Sequence, residues 1–351
     1  MKINILLPNV TRHPSGGHKV VYEYANKLAE DGVDVYIYYF STGFLTNYNL
    51  PHALKKGAIK FYGEIIGPRQ WFKLDHRIKT RVIDSATNMR AADALIVTSV
   101  ETALSAKNIL SKYIKCVYFV QDFENWNVDN DTVKKSYALN VEIVVIAQWI
   151  KKIVDKYSTQ PSHLIPDGIN INVFKNLNYD RTTHSIVFQY RSDKHKGCSY
   201  AIEAIKKLKV EYPDLMVNVI TSESQTPDFP EYCRCYHNLT AKQVAEINNK
   251  SEVFICTSIE EGFGLPGLEA MGCGCAVASS RYTGVLEYAY DEKNALLSPV
   301  KDVDALVGNV ERLFNDEALR NKIIEEGMKT AQERSFDNAY KKFKKVLLAE
   351  Q

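Results

Sequence analysis

The strongest constraint in this sequence is a pattern that runs twice. Short, nearly continuous apolar runs alternate with stretches whose apolar residues recur at helical spacing, and after a polar interval the alternation begins again. Residues 3–7, 33–39, 94–97, 116–120 and 143–146 are runs of the first kind, the pattern of parallel strands covered on both faces. Between the first two, Val20, Val21, Tyr24 and Leu28 share one helical face, and Gly32 closes that helix. Residues 166–170 read as a turn, followed by a linker over 173–183 that is polar from Asn176 onward. The second series has strands at 185–190, 215–221, 253–256, 276–279 and 295–297, with Ala201, Ile202, Ile205 and Leu208 on one helical face. Two such series predict an α/β protein of two doubly wound, Rossmann-like parallel-sheet domains facing a cleft. The expected domains are residues 1–172 and 184–334, with a final helix over 335–351.

Length and composition agree with this architecture and narrow the function. A chain of 351 residues fits two domains, and 45% apolar with 25% charged residues is ordinary for a globular protein. A net charge of +2 argues against nucleic acid as a partner, so any electrostatic function must be local. No apolar run approaches a membrane span, and the apolar stretch at 3–7 is too short for a signal peptide and lacks a small-residue cleavage site. The seven cysteines are odd in number, and Cys233/Cys235 and Cys273/Cys275 are spaced more narrowly than the usual C-x₂₋₄-C of closed zinc sites. Free thiols, no metal and a reducing cytoplasm are expected.

The most informative segment is 261–271, Glu-Gly-Phe-Gly-Leu-Pro-Gly-Leu-Glu-Ala-Met, directly after the strand at 253–256. That is the carboxyl edge at which open α/β sheets bind ligands. Pro266 suits the first position of a helix, and Gly262 and Gly264 let backbone approach a ligand with no Cβ in the way. The free amides and dipole of that helix start suit a diphosphate. Glu261 would lie in the loop and Glu269 about one turn into the helix, so two acceptor carboxylates could bind hydroxyls at opposite ends of an elongated ligand. A second constellation, Arg191-Ser192-Asp193-Lys194-His195-Lys196-Gly197, follows the strand at 185–190. Alone, it is an ordinary solvated basic loop. A third, Ser15-Gly16-Gly17-His18, follows the first strand, and its spacing fails the dinucleotide fingerprint G-x-G-x-x-G.

Taken together, these segments resemble the retaining glycosyltransferases of family 4, which have the GT-B fold and an E-x7-E signature. The resemblance runs from the Gly16-Gly17 loop to Arg334-Ser335-Phe336. It implies that Glu269 binds the nucleotide ribose, that Glu261 contacts the donor sugar, and that residues 263–265 (Phe263, Gly264 and Leu265) offer backbone amides to sugar and phosphates. Arg191 and Lys196 match the family's Arg-x4-Lys-Gly. Fixed cations there would stabilise the charge that develops on a departing nucleoside diphosphate without a metal. Gly16 and Gly17 correspond to a loop that approaches the donor phosphate from the acceptor-side, N-terminal domain. Residues 165–170 and 283–287 match further family segments. The implied activity is retaining transfer of a sugar from a nucleotide-sugar donor to a glycan or lipid-linked hydroxyl in polysaccharide assembly. The donor is a substrate, and no cofactor is expected.

The acceptor half departs from the family. Where many members carry a His, this chain has Gln121-Asp122-Phe123-Glu124. The motif Tyr118-Phe119-Val120-Gln121-Asp122 resembles the rhamnan-synthesis branch, which implies a deoxysugar donor such as dTDP-rhamnose. Gln121, Asp122 and Glu124 are the acceptor or sugar candidates; Asp122 or Glu124 either binds or deprotonates the acceptor hydroxyl or caps a helix. Between Lys55 and Arg90, basic residues outnumber Glu64, Asp75 and Asp84, and Phe61, Tyr62, Trp71 and Phe72 are interleaved. This stretch suits either peripheral contact with an anionic inner membrane face or a plain solvated surface. Two rival functions remain: a non-catalytic nucleotide-sugar-binding protein and a nucleotide-sugar epimerase of the same fold.

Overall fold

In the computed structural model the described residues are 1–41, 51–126 and 128–348, so positions 349–351 of the expected last helix lie outside them. The chain divides into two compact units, residues 1–165 with 340–351, and residues 166–339.

The first unit alternates as the apolar pattern requires. Its elements are β1 (Lys2–Leu7), α1 (Gly16–Glu30), β2 (Asp34–Phe40), α2 (His52–Phe61), β3 (Lys79–Ile83), β4 (Ala94–Val97), α3 (Val100–Ala106), β5 (Lys115–Val120), α4 (Asn130–Tyr137), β6 (Glu142–Val145), α5 (Gln148–Val154) and β7 (His163–Leu164). All pairings are parallel, in the order β3-β2-β1-β4-β5-β6-β7. The order reverses between β1 and β4, which makes their carboxyl ends the topological switch point. Helix α1 ends as expected: Gly32 takes φ 81°, its amide bonds Ala29 O at 3.1 Å, and Val33 N reaches Leu28 O at 3.0 Å.

The second unit contains β8 (Ser185–Gln189), α6 (Cys198–Glu211), β9 (Met216–Thr221), β10 (Cys233–His237), α7 (Ala241–Lys250), β11 (Val253–Cys256), α8 (Leu265–Gly272), β12 (Ala276–Ser280), β13 (Leu296–Ser298), α9 (Val303–Asn315) and α10 (Glu317–Glu333). Its parallel order is β10-β9-β8-β11-β12-β13, with the switch between β8 and β11. Ile186, Phe188, Val217, Val253 and Ile255 from the strands meet Ala201, Ile205 and Leu208 of α6 and Leu306 and Val310 of α9 in one buried core. Each fully buried aliphatic or Phe side chain there contributes about 1.5–3 kcal/mol over an exposed one. Residues 174–182 run along this unit: Arg181 donates to the carbonyls of Asn248 (2.9 Å), Ser251 (2.6 Å) and Cys273 (2.7 Å).

Helix α11 (Phe336–Leu348) begins in the second unit, and from Tyr340 onward it belongs to the first. Its ring at Phe343 packs 4.6 Å from Tyr24 and 5.6 Å from Phe119, and Lys344 bonds Asp31 at 2.7 Å. Three short strands escape the apolar pattern. β3 lies inside the basic stretch, β7 has two residues, and β10 has the alternating composition Cys-Arg-Cys-Tyr-His. At a sheet edge, one side of the strand lacks a paired neighbour, so the burial signal is weak there.

Candidate active site

In the second unit the site is built from the loops that leave the two strands at the switch point. The loop after β8 carries Arg191 and Lys196 and turns at Gly197 into α6. Gly197 takes φ 58°, and a Cβ there would lie 2.2 Å from Thr257 O, so only glycine lets this loop press against the chain leaving β11. The two loops are tied further by Ile259 N donating to His195 O at 2.7 Å and Thr257 Oγ1 donating to Lys196 O at 3.4 Å. Ser192 N bonds Glu223 Oε1 at 2.6 Å, which anchors the start of the basic loop to the end of β9.

This docking brings the expected cation and carboxylate together. Lys196 Nζ lies 3.1 Å from Glu261 Oε2, and Ser258 Oγ donates to the other Glu261 oxygen. Burial lowers the Arg191 pKa, while the charges of Glu223, Cys198 and Glu261 act to raise it. Arg191 therefore sits partly desolvated within electrostatic reach of Glu261, where an incoming anion would be screened little by water.

The turn at 261–264 is shaped by glycines and two tyrosines. Gly264 has φ 91° and is the N-cap of α8, which starts at Leu265. Pro266 is accordingly the second helical residue rather than the expected first. At either position its missing N–H costs no helical bond. Glu269 lies one turn into α8 and is buried, with 6% of its surface exposed. The Phe263 ring packs on Tyr288 at 5.4 Å between centroids, and Tyr288 Oη donates to Gly264 O at 2.6 Å. Ser280 Oγ donates to Ser258 O at 2.6 Å, pinning the loop to β12. A Cβ at Gly284 would meet Glu261 O at 2.6 Å and Phe263 N at 2.7 Å, so the 283–287 turn lies directly under the 261–263 backbone. Sequence reasoning singled out neither Tyr282 nor Tyr288. The signal available was two tyrosines bracketing residues 283–287, directly after a strand.

The first unit brings its own candidates together at its switch point. Gly16 and Gly17 open α1, both exposed, and Gln121 Nε2 donates to Gly17 O at 3.3 Å. His18 Nε2 contacts Asn9 O at 3.0 Å and Nδ1 contacts Ser15 Oγ at 3.3 Å, which sets the loop before α1. Asp122 Oδ1 accepts from Phe123 N at 2.8 Å. Glu124 Oε2 accepts the amide of Val100 at 2.8 Å, at the first residue of α3. Of the two roles open to Glu124, bonding a helix start is thus the one its geometry displays. Burial raises its pKa to about 7, assisted by Asp122 and Glu101 and opposed by the Val100 bond.

Within the basic stretch, all three acids are engaged: Lys56 pairs with Asp84, Arg77 with Asp75 at 2.8 Å, and Arg81 with Glu64 at 3.5 Å. Arg69 donates to Ile78 O at 2.9 Å. Beside exposed Lys56, Lys60, Arg69 and Lys73, the stretch also exposes apolar side chains: Leu54 is 62% exposed, Phe61 58% and Ile65 62%, on α2 and the π-turn Tyr62–Ile66 that continues it. Among the described residues no helix is long and apolar enough to cross a membrane, and no group of three or more His, Cys, Asp or Glu could hold a metal ion. Cys233 and Cys235 lie on the edge strand β10, and Cys273 and Cys275 are buried.

Residues 171–330, which include every candidate of the second unit, match the family model described as Glycosyl transferases group 1. Anabaena Alr3699/HepE, solved in complex with UDP and glucose, matches with a TM-score of 0.76 at 14% identity, covering 99% of this chain and 100% of that one. The fold is GT-B. An uncharacterized glycosyltransferase of Methanocaldococcus jannaschii is 22% identical over 211 residues, 58% of each chain. A phosphatidyl-myo-inositol mannosyltransferase of Mycolicibacterium smegmatis is 24% identical over 168 residues, 44% of each. The chain thus spans about half the length of these curated relatives. In this GT-B chain the candidate donor residues sit at the switch of the second sheet, and Gly17 with Gln121 at the switch of the first.

Proposed function

We propose that this chain is a nucleotide-sugar-dependent glycosyltransferase acting with retention. The observation that carries the reading is the Lys196–Glu261 contact beside Arg191, at the carboxyl edge of β8 and β11. In this reading Glu269 holds the nucleoside ribose and Glu261 a sugar hydroxyl, while the α8 amides, Arg191 and Lys196 hold the diphosphate. The bond between the sugar's anomeric carbon and the phosphate oxygen breaks, and a bond to the acceptor oxygen forms on the same face. The acceptor proton passes to the departing phosphate oxygen, and the two cations stabilise the charge left on the diphosphate. The site needs no protein nucleophile. Similarity to a lipid-inositol mannosyltransferase supports a glycan or lipid-linked hydroxyl as acceptor, and the segment 118–122 supports a deoxysugar donor of the dTDP-rhamnose type.

The test is a thermal-shift series with UDP, GDP, ADP and dTDP and their sugars. A donor at one hundred times its Kd stabilises the fold by about 2.7 kcal/mol. Glu269→Ala should abolish most of that shift, whereas Lys196→Ala should lower kcat more than donor affinity. Absence of any shift in the unaltered protein, across all four bases, would overturn the assignment.

The exposed Leu54, Phe61 and Ile65 beside Lys60 support peripheral docking on an anionic membrane face through α2 and its π-turn. Co-sedimentation with phosphatidylserine vesicles at low salt should capture the protein, and Phe61→Glu should release it. Equal recovery of both proteins in the pellet would remove α2 as the contact.

A further inference from the structure

Tyr282 and Tyr288 contact the Gly264 turn but have no part in the chemistry above; a role for them there rests on the donor reading of that turn. Both rings are buried, with 2% and 0% of their surfaces exposed. A buried phenol is costly unless its hydroxyl is bonded, and a Phe would fill the same space. Here Tyr288 donates to Gly264 O at 2.6 Å, and the Tyr282 hydroxyl is packed against the Gly264 backbone. The fit against the backbone is close. A Cβ at Gly264 would lie 1.9 Å from Tyr282 Oη, and one at Gly267 would lie 2.4 Å from Tyr288 Oη.

The direction of the Tyr288 bond matters. In a planar peptide the carbonyl of Gly264 and the N–H of Leu265 point to opposite sides. Gly264 O also accepts from Gly267 N at 3.3 Å, and the two bonds together turn the Leu265 N–H away from the tyrosines. That N–H belongs to the first turn of α8, where amides have no intrahelical acceptor. We propose that Tyr288, backed by Tyr282, is a positioning residue that fixes the 262–265 turn so that its amides stay presented to the donor. Burial pushes the pKa of both phenols well above the ordinary value, so both remain neutral donors across the working pH range.

Tyr288→Phe keeps the ring on Phe263 and deletes only the hydroxyl. Amide hydrogen exchange in the ligand-free protein should then be about fivefold faster for the peptide covering 262–268, as expected for one lost internal bond, with the rest of the second unit unchanged. The donor KM should rise by a similar factor while the acceptor KM stays constant, a split that general destabilisation would not produce. Tyr282→Phe removes the hydroxyl packed against Gly264 and should speed the same peptide by a smaller factor; it serves as the test if Tyr288→Phe fails to fold. Unchanged exchange at 262–268 in the folded variants, or equal acceleration throughout the second unit, overturns the proposal. If that peptide loosens selectively but the unaltered protein binds none of UDP, GDP, ADP or dTDP, the positioning of the turn stands and the donor reading falls.

Discussion

Glu124→Gln should make the first unit more stable, and only at neutral and higher pH. Glu124 Oε2 accepts the Val100 amide at 2.8 Å. Burial is the main cause that lifts its pKa from 4.5 to about 7, and Asp122 and Glu101 add repulsion. Tyr118 and Tyr137 also face it, as neutral phenols whose own pKa values are raised by burial and then by this carboxylate. Between pH 4.5 and 7 the native state holds a proton that the unfolded chain releases. Stability therefore falls as pH rises through that window and levels off above it. The difference between 4.5 and about 7, at about 1.4 kcal/mol per pH unit, sets the loss at about 3 kcal/mol. Gln keeps an acceptor oxygen for Val100 and cannot ionise. The variant should match the parent within about 1 kcal/mol at pH 5 and exceed it by about 2–3 kcal/mol at pH 8. Urea unfolding followed by tryptophan fluorescence reads this unit selectively, because Trp71, Trp126 and Trp149 all lie within residues 1–165. A stability difference that is the same at pH 5 and pH 8, or a variant less stable at pH 8, would refute the reasoning.

Two further outcomes follow from packing. Phe343→Ala empties a position with 1% of its surface exposed between Tyr24 and Phe119, and should cost about 3–5 kcal/mol in the same tryptophan-detected transition; a loss below about 1 kcal/mol would show that α11 does not hold the first unit. Gly264→Ala must place a Cβ against Tyr282 Oη at a φ of 91°. It should destabilise the second unit by at least about 2 kcal/mol in far-UV circular dichroism and abolish nucleotide-dependent stabilisation, so a stable, nucleotide-responsive variant would contradict the described turn.

The apolar pattern alone marks which segments are buried on both faces and where the chemistry-bearing loops begin. Strands 94–97 and 253–256 are legible residue for residue, because an unbroken apolar run needs no knowledge of its neighbours. The carboxylate pair Glu261 and Glu269, around glycines and a proline, is likewise a local signal. Three matters were decided only by tertiary structure. Strand order places the loop after β8 beside the loop after β11, though some sixty residues separate them, and nothing local in either loop encodes the Lys196–Glu261 contact. The edge strands β3 and β10 look like a basic stretch and a cysteine pair, because one unpaired edge removes the burial pattern that marks a strand. Tyr282 and Tyr288 are unremarkable as letters. They acquire a role because β12 and the 283–287 turn carry their hydroxyls under the backbone of Gly264, a meeting set by packing across the sheet rather than by spacing along the chain.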